Sequence, residues 1–386
     1  MRARRWSRSL RKLSWNRTAR RPPLSRQSSR SSISRRNKGE SVRQSAQALE
    51  DWTARVFLSC GVSEDEARLA SSVLVRSELR GYRTHGMTRV ASYVERLRAG
   101  DFNPRPAMHH RVCPGGIVLD ADGAMGQLVG PRAIELAREA LKASASVLIA
   151  VSECGHLGAL GIHALLAAEA GLFCVLGQRT PPLLAMERFK HPAIGHNPIA
   201  FGCPVPGRDP IVFDMACSVA ARGHILLAAR EGKPIPAGWA LDEEGAPTTD
   251  ARRALKGALL PAGGHKGIGI AMMVECLAGA MAATAASLDP RRNALPESGA
   301  VGRQGAFFWL VRPGAFVEQE LFGSYMSAWT QTYLAAAAGA ARLPGSRGAR
   351  LEREGREQGI ELSEAIAKEL GALGARLGVA FPGGLS

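Results

Sequence analysis

The segment Thr84–Arg89 (THGMTR) combines side chains that can carry out acid–base chemistry on a carboxylic acid. His85 precedes Arg89 by four residues, and on a helix that spacing places both side chains on one face. The guanidinium can then grip a carboxylate through two hydrogen bonds while the imidazole exchanges a proton with a neighbouring oxygen. A histidine and an arginine on an ordinary surface would show the same pattern, and without further context that plainer interpretation is favoured.

Two glycine-rich segments can approach a ligand closely. The first, Ser152–Gly161, follows a predicted strand over Val147–Val151 and has glycine at every third position from 155 to 161. Backbone N–H groups at the start of the following helix can bind a phosphate, although close packing of helix on strand would explain these glycines equally well. The second, Gly263–Gly267 (GGHKG), offers the charge of Lys266 at the start of an apolar stretch, where a phosphate or a ribose hydroxyl fits.

Several common signatures are absent from the sequence. It contains no G-x-G-x-x-G, no G-x-x-x-x-G-K-[ST], no H-E-x-x-H and no G-x-S-x-G, so no analogy can be taken from the enzymes that carry these motifs. The seven cysteines never occur as C-x-x-C. This pattern argues against a zinc ribbon and a disulfide framework, favours a reducing compartment, and gives no reason to expect a metal site.

The positive charge of the chain is concentrated at its N-terminus. The 386 residues carry a net charge of +16, and residues 1–39 hold 12 arginines, 2 lysines and no acidic residue. A nucleic-acid partner is therefore conceivable only through this tail, and residues 1–40 are predicted to be disordered because they offer little apolar surface to bury. A transit peptide, a polyanion-binding arm and a translated leader without function all fit, and the leader is favoured. We expect a cytoplasmic protein, or an organellar one if the tail is a transit peptide.

The rest of the chain alternates predicted helices with predicted strands, which indicates an α/β core. A capping box at Ser63 and Glu66 opens a helix that ends before Gly81, so His85 is expected at a junction between helices. An Ala-rich stretch interrupted by Glu275 is expected to form one long buried helix over 267–286 rather than a membrane span. A further helix is predicted to follow His85 and to end at about residue 98, and others are predicted at 43–60, 130–142, 161–170, 219–230, 318–340 and 361–377. Strands are predicted at 117–119, 147–151, 172–176, 211–213 and 307–311. The stretch 233–262 is predicted to have little regular structure.

Eight short segments add specificity because they occur together and in one order. They are Thr84–Gly86 with Arg89, Asp122–Gln127, Gly155–Leu160, Gly195–Pro198, Asp214–Ala216, Ala221–Gly223, Gly238–Asp242 with Pro247–Asp250, and Gly263–Gly267. With these segments the chain resembles the malate/L-lactate dehydrogenase family of NAD(P)-dependent oxidoreductases, from about Ser41 to the C-terminus.

The resemblance implies an α/β fold with a non-Rossmann dinucleotide-binding domain, a mixed sheet and a smaller helical domain built from both chain ends. It places the helical N-terminal part at residues 41–115, the NAD(P)-binding domain at 116–310, and C-terminal helices that pack back on the N-terminal part at 311–386. It also implies a homodimer without membrane association. The implied reaction is hydride transfer between nicotinamide C4 of NAD or NADP and C2 of a small 2-hydroxy or 2-oxo acid, or of a cyclic imino acid.

The resemblance also assigns residues by position. His85 becomes the proton donor or acceptor, with Thr84 as its hydroxyl neighbour, and Arg89 holds the substrate carboxylate. The cofactor is expected at His156, Leu157, Gly158, Ala159, Leu160, Asp214, Met215, Ala216, His265 and Lys266, and the substrate at Arg89, His196, Arg222 and His224.

Two of these positions depart from the family. His196 stands where members commonly have threonine, and His224 where they have aspartate or lysine. An aspartate at 224 would raise the pKa of His85, whereas a neutral histidine can orient the ring without adding negative charge. Three hypotheses follow: a dehydrogenase of malate or L-lactate type, a reductase of cyclic imino acids such as piperideine- or pyrroline-2-carboxylate, and a degenerate protein that binds dinucleotide without catalysis.

Overall fold

The computed structural model describes residues 41–288, 303–337 and 339–383, and the statements below refer to these residues. The predicted disordered tail lies outside them. The helices are α1 (Ala46–Leu58), α2 (Glu64–Leu79), α3 (Val90–Arg98), α4 (Gly126–Ala140), α5 (Leu160–Glu169), α6 (Arg222–Arg230), α7 (Ala251–Lys256), α8 (His265–Val274), α9 (Gln319–Ala335), α10 (Ser346–Gln358) and α11 (Glu364–Leu377). No helix of the described part of the chain is long and apolar enough to cross a bilayer.

The largest sheet has seven strands within the described residues and carries the main core. Its strands are β2 (His109–Cys113), β3 (Gly116–Asp120), β4 (Ser146–Cys154), β5 (Phe173–Gln178), β8 (Ile199–Cys203), β9 (Ile211–Met215) and β13 (Gln304–Val311), in the order β2-β3-β4-β13-β5-β8-β9. Only β3 and β4 of this sheet run parallel, and the other neighbours are antiparallel. Helices α4 and α5 share its core, with Val129 and Ala164 fully buried against it.

A second, smaller sheet supports the far side of the site. It consists of β11 (Pro247–Thr248), β10 (Ala240–Leu241), β12 (Ala258–Leu259), β6 (Pro182–Leu184) and β7 (Ile194–Gly195), in that order. Residues of this sheet, α6 and α8 share one core, which includes Leu184, Ile225 and Ile268. The stretch 233–262 is thus more regular than expected, because it supplies three of these strands and α7, whose N-terminal N–H groups are capped by Asp250.

Both ends of the described chain meet in a helical part. Strand β1 (Ser41–Gln44) pairs antiparallel with β14 (Ile360–Ser363), and α11 shares a core with α1, α2 and α3. In that core the Trp52 ring meets Phe381 edge-on at 5.0 Å and donates a hydrogen bond to the Val379 carbonyl. Helix α9 packs elsewhere, with Met326 against Val205 at the edge of the large sheet. The predicted α/β fold with a mixed sheet is confirmed.

Three predicted helices were wrong in extent. The segment 43–60 starts as a strand, because its first residues pair with β14, and 361–377 starts as β14 for the same reason. The helix expected over 267–286 ends at Val274 and continues as a π-helical turn, Glu275–Ala280. Glu275 accepts hydrogen bonds from Arg179 at 2.6 Å and from Asn197 at 2.9 Å, and these distant partners leave no trace in the local pattern.

Candidate active site

The junction that carries His85 is two short 3₁₀ turns rather than the start of a helix. They span Arg83–His85 and Met87–Arg89, on either side of Gly86. The buried carboxylate of Glu78 accepts the Met87 N–H at 3.0 Å, and any side chain at Gly86 would overlap that carboxylate. Glu78 therefore fixes the second turn against α2, and the close approach requires glycine.

Within this junction His85 and Arg89 are brought together as predicted, but through the backbone. Arg89 Nε donates to the Thr84 carbonyl at 2.7 Å, and Thr84 Oγ1 lies 2.9 Å from His85 Nδ1. The terminal nitrogens of Arg89 have no partner among the described residues. The Arg89 guanidinium is thus held by its Nε, and its two terminal nitrogens are available to a ligand. On His85, Nε2 is the ring nitrogen that is available to a ligand.

His85 is held neutral by its surroundings. Burial, followed by the charge of Arg89 and the nearby His196, lowers its pKa to about 3. A neutral imidazole can accept a proton from a hydroxyl group over the whole physiological pH range.

The loop after β4 places a second imidazole beside the first. The His156 ring lies 5.6 Å from the His85 ring. Gln178 accepts the Leu157 N–H at 2.9 Å and donates to the Gly155 carbonyl at 2.9 Å, while buried His163 bonds the Leu157 carbonyl. The loop is therefore rigid, and burial together with Arg89 holds the pKa of His156 well below its ordinary value.

The predicted cofactor residues of this loop differ in what they can offer. Leu157, Ala159 and Leu160 are buried in the protein core, so only their backbone atoms can face a ligand. His156 and Gly158 are half-exposed. Gly158 has φ near +78°, a conformation that glycine adopts without strain.

The start of α5 is not an open phosphate site. Asp214, near the end of β9, accepts the Gly161 N–H at 2.8 Å and so occupies the helix N-terminus with the protein's own carboxylate. Burial raises the Asp214 pKa to about 6 although that N–H lowers it. Asp214 offers a hydrogen-bond acceptor to a ligand, and Met215 and Ala216 follow it at the half-buried end of the strand.

His196 lies on the other side of the cleft. Its Nδ1 is 3.2 Å from Thr180 Oγ1, and its carbonyl accepts the Cys217 N–H at 2.8 Å. Burial and the charge of Arg222 lower the His196 pKa to about 4. A third neutral imidazole therefore lines the cleft where the family commonly has a small hydroxyl side chain.

The N-terminus of α6 lies close to the junction that carries His85. A Cβ at Gly223 would lie 4.0 Å from Thr84 Cγ2, and among the described residues the Arg222 guanidinium has no hydrogen-bond or ion-pair partner. His224 is exposed and its ring lies 6.2 Å from Trp239. Among the described residues, no hydrogen bond or ring contact joins His224 to His85, whose Nδ1 is engaged by Thr84.

The GGHKG segment follows a residue, Ala262, that is hydrogen-bonded to the backbone just after β9. The Ala262 N–H donates to the Cys217 carbonyl at 2.8 Å, and Gly264 precedes α8 with φ near +62°. His265 and Lys266 are exposed, and Lys266 has no ion-pair partner within the described part of the chain. The α8 N-terminus therefore offers N–H groups and a free positive charge, which suit a phosphate of a dinucleotide.

The cleft carries positive charge without a compensating carboxylate beside its imidazoles. In the described residues, the charged side chains that shift the pKa of His85, His156 and His196 are all arginines: Arg89, Arg96 and Arg222. Such a set can bind an anion and move a proton. Together with Asp214 and Lys266, the donors and acceptors present fit a nicotinamide dinucleotide.

Three residues that build this site were not predicted from the sequence: Glu78, Tyr93 and Gln127. Gln127 lies in one of the matched segments, which was a usable signal, although its role was not apparent. Tyr93 and Glu78 read as ordinary helix residues, and only the fold shows their contacts with Met87, Gln127 and His156.

Comparisons with known proteins identify the class. The pattern of the malate/L-lactate dehydrogenase family matches residues 44–371. A Δ1-pyrroline-2-carboxylate reductase of Ancylobacter novellus is 34% identical over 345 residues, 87% of this chain and 99% of the reductase. A (2R)-3-sulfolactate dehydrogenase (NADP⁺) of Chromohalobacter salexigens is 33% identical over 328 residues, covering 85% and 97% of the two chains. The structure of Δ1-piperideine-2-carboxylate reductase from Pseudomonas syringae superposes with a TM-score of 0.77 at 28% identity, covering 86% of this chain and 99% of that one.

The class is thus that of dehydrogenases and reductases of small carboxylates. This chain belongs to the malate/L-lactate dehydrogenase family. The family predicted from the eight segments is confirmed.

Proposed function

We propose that the protein is an NAD(P)-dependent oxidoreductase that transfers a hydride between nicotinamide C4 and C2 of a small 2-hydroxy or 2-oxo acid, of the malate or L-lactate type. The observation that carries this proposal is the pairing of two groups at one junction. His85 is neutral with Nδ1 engaged by Thr84, and Arg89 is anchored by Nε with its other nitrogens open. One group moves the proton and the other holds the carboxylate.

In the oxidation direction, neutral His85 takes the hydroxyl proton as C2 gives up its hydride, and in reduction the protonated ring returns it to the carbonyl oxygen. A substrate carboxylate on Arg89 offsets the positive charge that lowers the His85 pKa. Substrate binding therefore makes protonation of His85 easier, which the reductive direction needs.

The cofactor would be held by His156, Gly158, Asp214 and the α8 N-terminus with His265 and Lys266. When bound, NAD or NADP supplies or accepts the hydride. The protein's contribution is to orient the two reactants, since the rigid loop at Gly155 and Leu157 cannot shift away from the cleft.

Among the described residues, no carboxylate acts on the pKa of the three imidazoles, which supports a neutral carbonyl as the group that is reduced. A cyclic imine is protonated as it reacts, and the charges of Arg89 and Arg222 repel the cationic iminium nitrogen, although the carboxylate of such a substrate would bind Arg89 as that of an oxo acid does. The imino acid reductase nevertheless remains the second candidate, because the relative from Ancylobacter novellus carries that activity in its name.

One substrate panel separates these functions. Purified protein is assayed for oxidation of NADH and of NADPH with pyruvate, oxaloacetate, 3-sulfopyruvate, Δ1-pyrroline-2-carboxylate and Δ1-piperideine-2-carboxylate. We expect the oxo acids to be turned over at least tenfold faster, in kcat/KM, than the imines. Preference for an imine would reverse the order of the two candidates.

The third hypothesis, a non-catalytic dinucleotide-binding protein, rests on His196 and His224. Turnover of any compound in the panel by the unmodified protein eliminates it. If the protein binds NADH but turns over nothing, the double variant His196→Thr with His224→Asp tests whether activity can be created.

We also propose a homodimer. One face of α9 exposes a stripe at every fourth residue: Leu321, Tyr325, Trp329 and Tyr333 are 44–69% exposed. A continuous apolar stripe on a surface helix is typical of a protein interface. Light scattering of the wild type should give twice the chain mass, and the variant Tyr325→Glu with Trp329→Glu should give a monomer; a monomeric wild type would exclude the dimer. The cytoplasmic location and the three interpretations of the tail stay predictions.

A further inference from the structure

Behind the cleft, three side chains form a hydrogen-bonded chain that ends on His156. Gln127 Nε2 lies 3.1 Å from the Tyr93 hydroxyl oxygen, and that oxygen lies 2.9 Å from His156 Nδ1. Tyr93 is 2% exposed and Gln127 is 1% exposed. Water therefore does not compete for these bonds, and each one constrains the next.

Close backbone contacts fix the position of this hydrogen-bonded chain relative to the loop that follows β4. Gly126 packs on the His156 carbonyl so tightly that any side chain there would overlap it. A Cβ at Gly158 would lie 3.0 Å from Gln127 Nε2. Gly126 and Gln127 close the segment Asp122–Gln127, which was one of the eight matches and had no assigned role.

Proton counting sets the direction of the chain. An amide nitrogen has only hydrogens to offer, so Gln127 Nε2 donates and the Tyr93 oxygen accepts. Tyr93 then donates its single proton to His156 Nδ1, which must present a lone pair. Burial and the charges of Arg89 and Arg96 keep the pKa of His156 low and its ring neutral, so the proton of that ring resides on Nε2.

We propose that Tyr93 and Gln127 are positioning residues that hold His156 as the Nε2–H tautomer, so that the imidazole presents a hydrogen-bond donor to the cleft and never an acceptor. The fitting acceptor is an oxygen of the bound dinucleotide. That second part rests on the proposed function, whereas the tautomer is a property of the ligand-free protein.

The tautomer can be measured directly. Full-length protein labelled with ¹⁵N-histidine is studied by NMR without ligand, and His156 is assigned by the signal missing in His156→Gln. We expect His156 Nε2 to carry the proton in the wild type and in the control Ser59→Ala, which removes an exposed hydroxyl at the end of α1. Tyr93→Phe should give a mixture of tautomers, because it removes the only donor to Nδ1 among the described residues.

A second variant is designed to reverse the direction in which these hydrogen bonds are donated. Gln127→Glu replaces the donating nitrogen with a carboxylate, which accepts the Tyr93 proton, so the hydroxyl oxygen must then accept from His156. We expect the proton to move to Nδ1 in this variant. A wild-type ring protonated on Nδ1, or a Tyr93→Phe ring that keeps a single Nε2–H tautomer, would overturn the proposal.

Binding supplies the functional readout. Titration followed by NADPH fluorescence should show the Kd rising about five- to tenfold in Tyr93→Phe and not in Ser59→Ala, with thermal unfolding measured in parallel to exclude loss of the folded state. An unchanged Kd would overturn the role in dinucleotide binding. Complete lack of turnover in the wild type would instead defeat the proposed function and leave the tautomer result standing.

Discussion

Two groups of arginines in this protein have opposite surroundings. At the contact between α2, α5 and α10, Arg76 donates to Glu169 at 2.8 Å and to Glu352 at 3.0 Å, and buried Arg80 donates to Glu352 at 2.8 Å. In the cleft, Arg89 has only one nitrogen engaged and Arg222 none within the described residues.

The difference shows which charges support the fold and which are left for a ligand. Arg76 and Arg80 are supplied with carboxylates, because an unpaired buried charge is costly. Arg89 and Arg222 lie at a cleft where water can solvate them until an anion replaces it. The predictions below test this distinction, from the largest expected effect to the smallest.

Arg89→Gln should reduce kcat/KM by about 100- to 1,000-fold, because a bidentate, charge-assisted contact with the substrate carboxylate is lost. The free energy of unfolding should fall by no more than about 1.5 kcal/mol, since no described carboxylate pairs with Arg89 and only its hydrogen bond to the Thr84 carbonyl is lost. Steady-state kinetics and urea unfolding measure the two effects. Arg353→Gln, which breaks an exposed pair with Asp209, is the control, and an equal loss of activity in both variants would contradict the role of Arg89.

Glu352→Gln should show the opposite profile. It leaves the buried guanidinium of Arg80 without its carboxylate, which costs about 3–5 kcal/mol of unfolding free energy, while kcat/KM per folded molecule stays near that of the wild type. The matched control is Glu354→Gln, which breaks the exposed pair with Arg350 and should cost less than about 1 kcal/mol. Equal stability of the two variants would refute the distinction between paired and open arginines.

Asp214→Asn should stabilise the protein at high pH only. The Asp214 pKa is about 6 when folded against an ordinary 3.8, so ionisation of the buried carboxyl costs stability as pH rises from 3.8 to 6, and the full cost persists above that range. Asparagine keeps an acceptor for the Gly161 N–H without this charge. We expect a gain of roughly 2–3 kcal/mol at pH 8 and none at pH 3.5, measured by urea unfolding at both values. A gain that is the same at both would exclude the buried carboxylate as its cause.

Arg222→Gln should have the smallest effect. Its guanidinium acts on His196 and has no described partner, so it is available to a second anionic group on the substrate. We expect KM to rise about tenfold for oxaloacetate, corresponding to roughly 1.4 kcal/mol, and to change little for pyruvate. Equal changes in KM for oxaloacetate and pyruvate would show that Arg222 does not bind a second anionic group of the substrate.

The sequence predicted the parts of the site that depend on local spacing. Thr84, His85 and Arg89 lie within one junction, and a few residues of chain are enough to place them together. The helix predicted to begin after Ser63 is also present, but its capping box is not, because Ser63 donates to the Glu66 side chain at 2.6 Å and caps no backbone N–H of the helix.

The parts it could not predict depend on contacts between distant segments. Asp214 caps α5 from a strand 53 residues away, and Tyr93 meets His156 across 63 residues. The pairing of β1 with β14 joins residues more than 300 positions apart. Local periodicity carries no information about such partners, so it did not predict that Asp214 bonds the start of α5, and the continuous helix expected over 267–286 was wrong.

The measurement closest to the central claim is turnover by His85→Ala beside the wild type, with the best oxo acid of the panel and either reduced cofactor. The variant should fold and bind NADPH like the wild type, yet lose kcat by about 100- to 10,000-fold, because the imidazole that transfers the proton beside Arg89 is removed. Undiminished kcat in a folded His85→Ala protein would contradict the assignment of proton transfer to this imidazole.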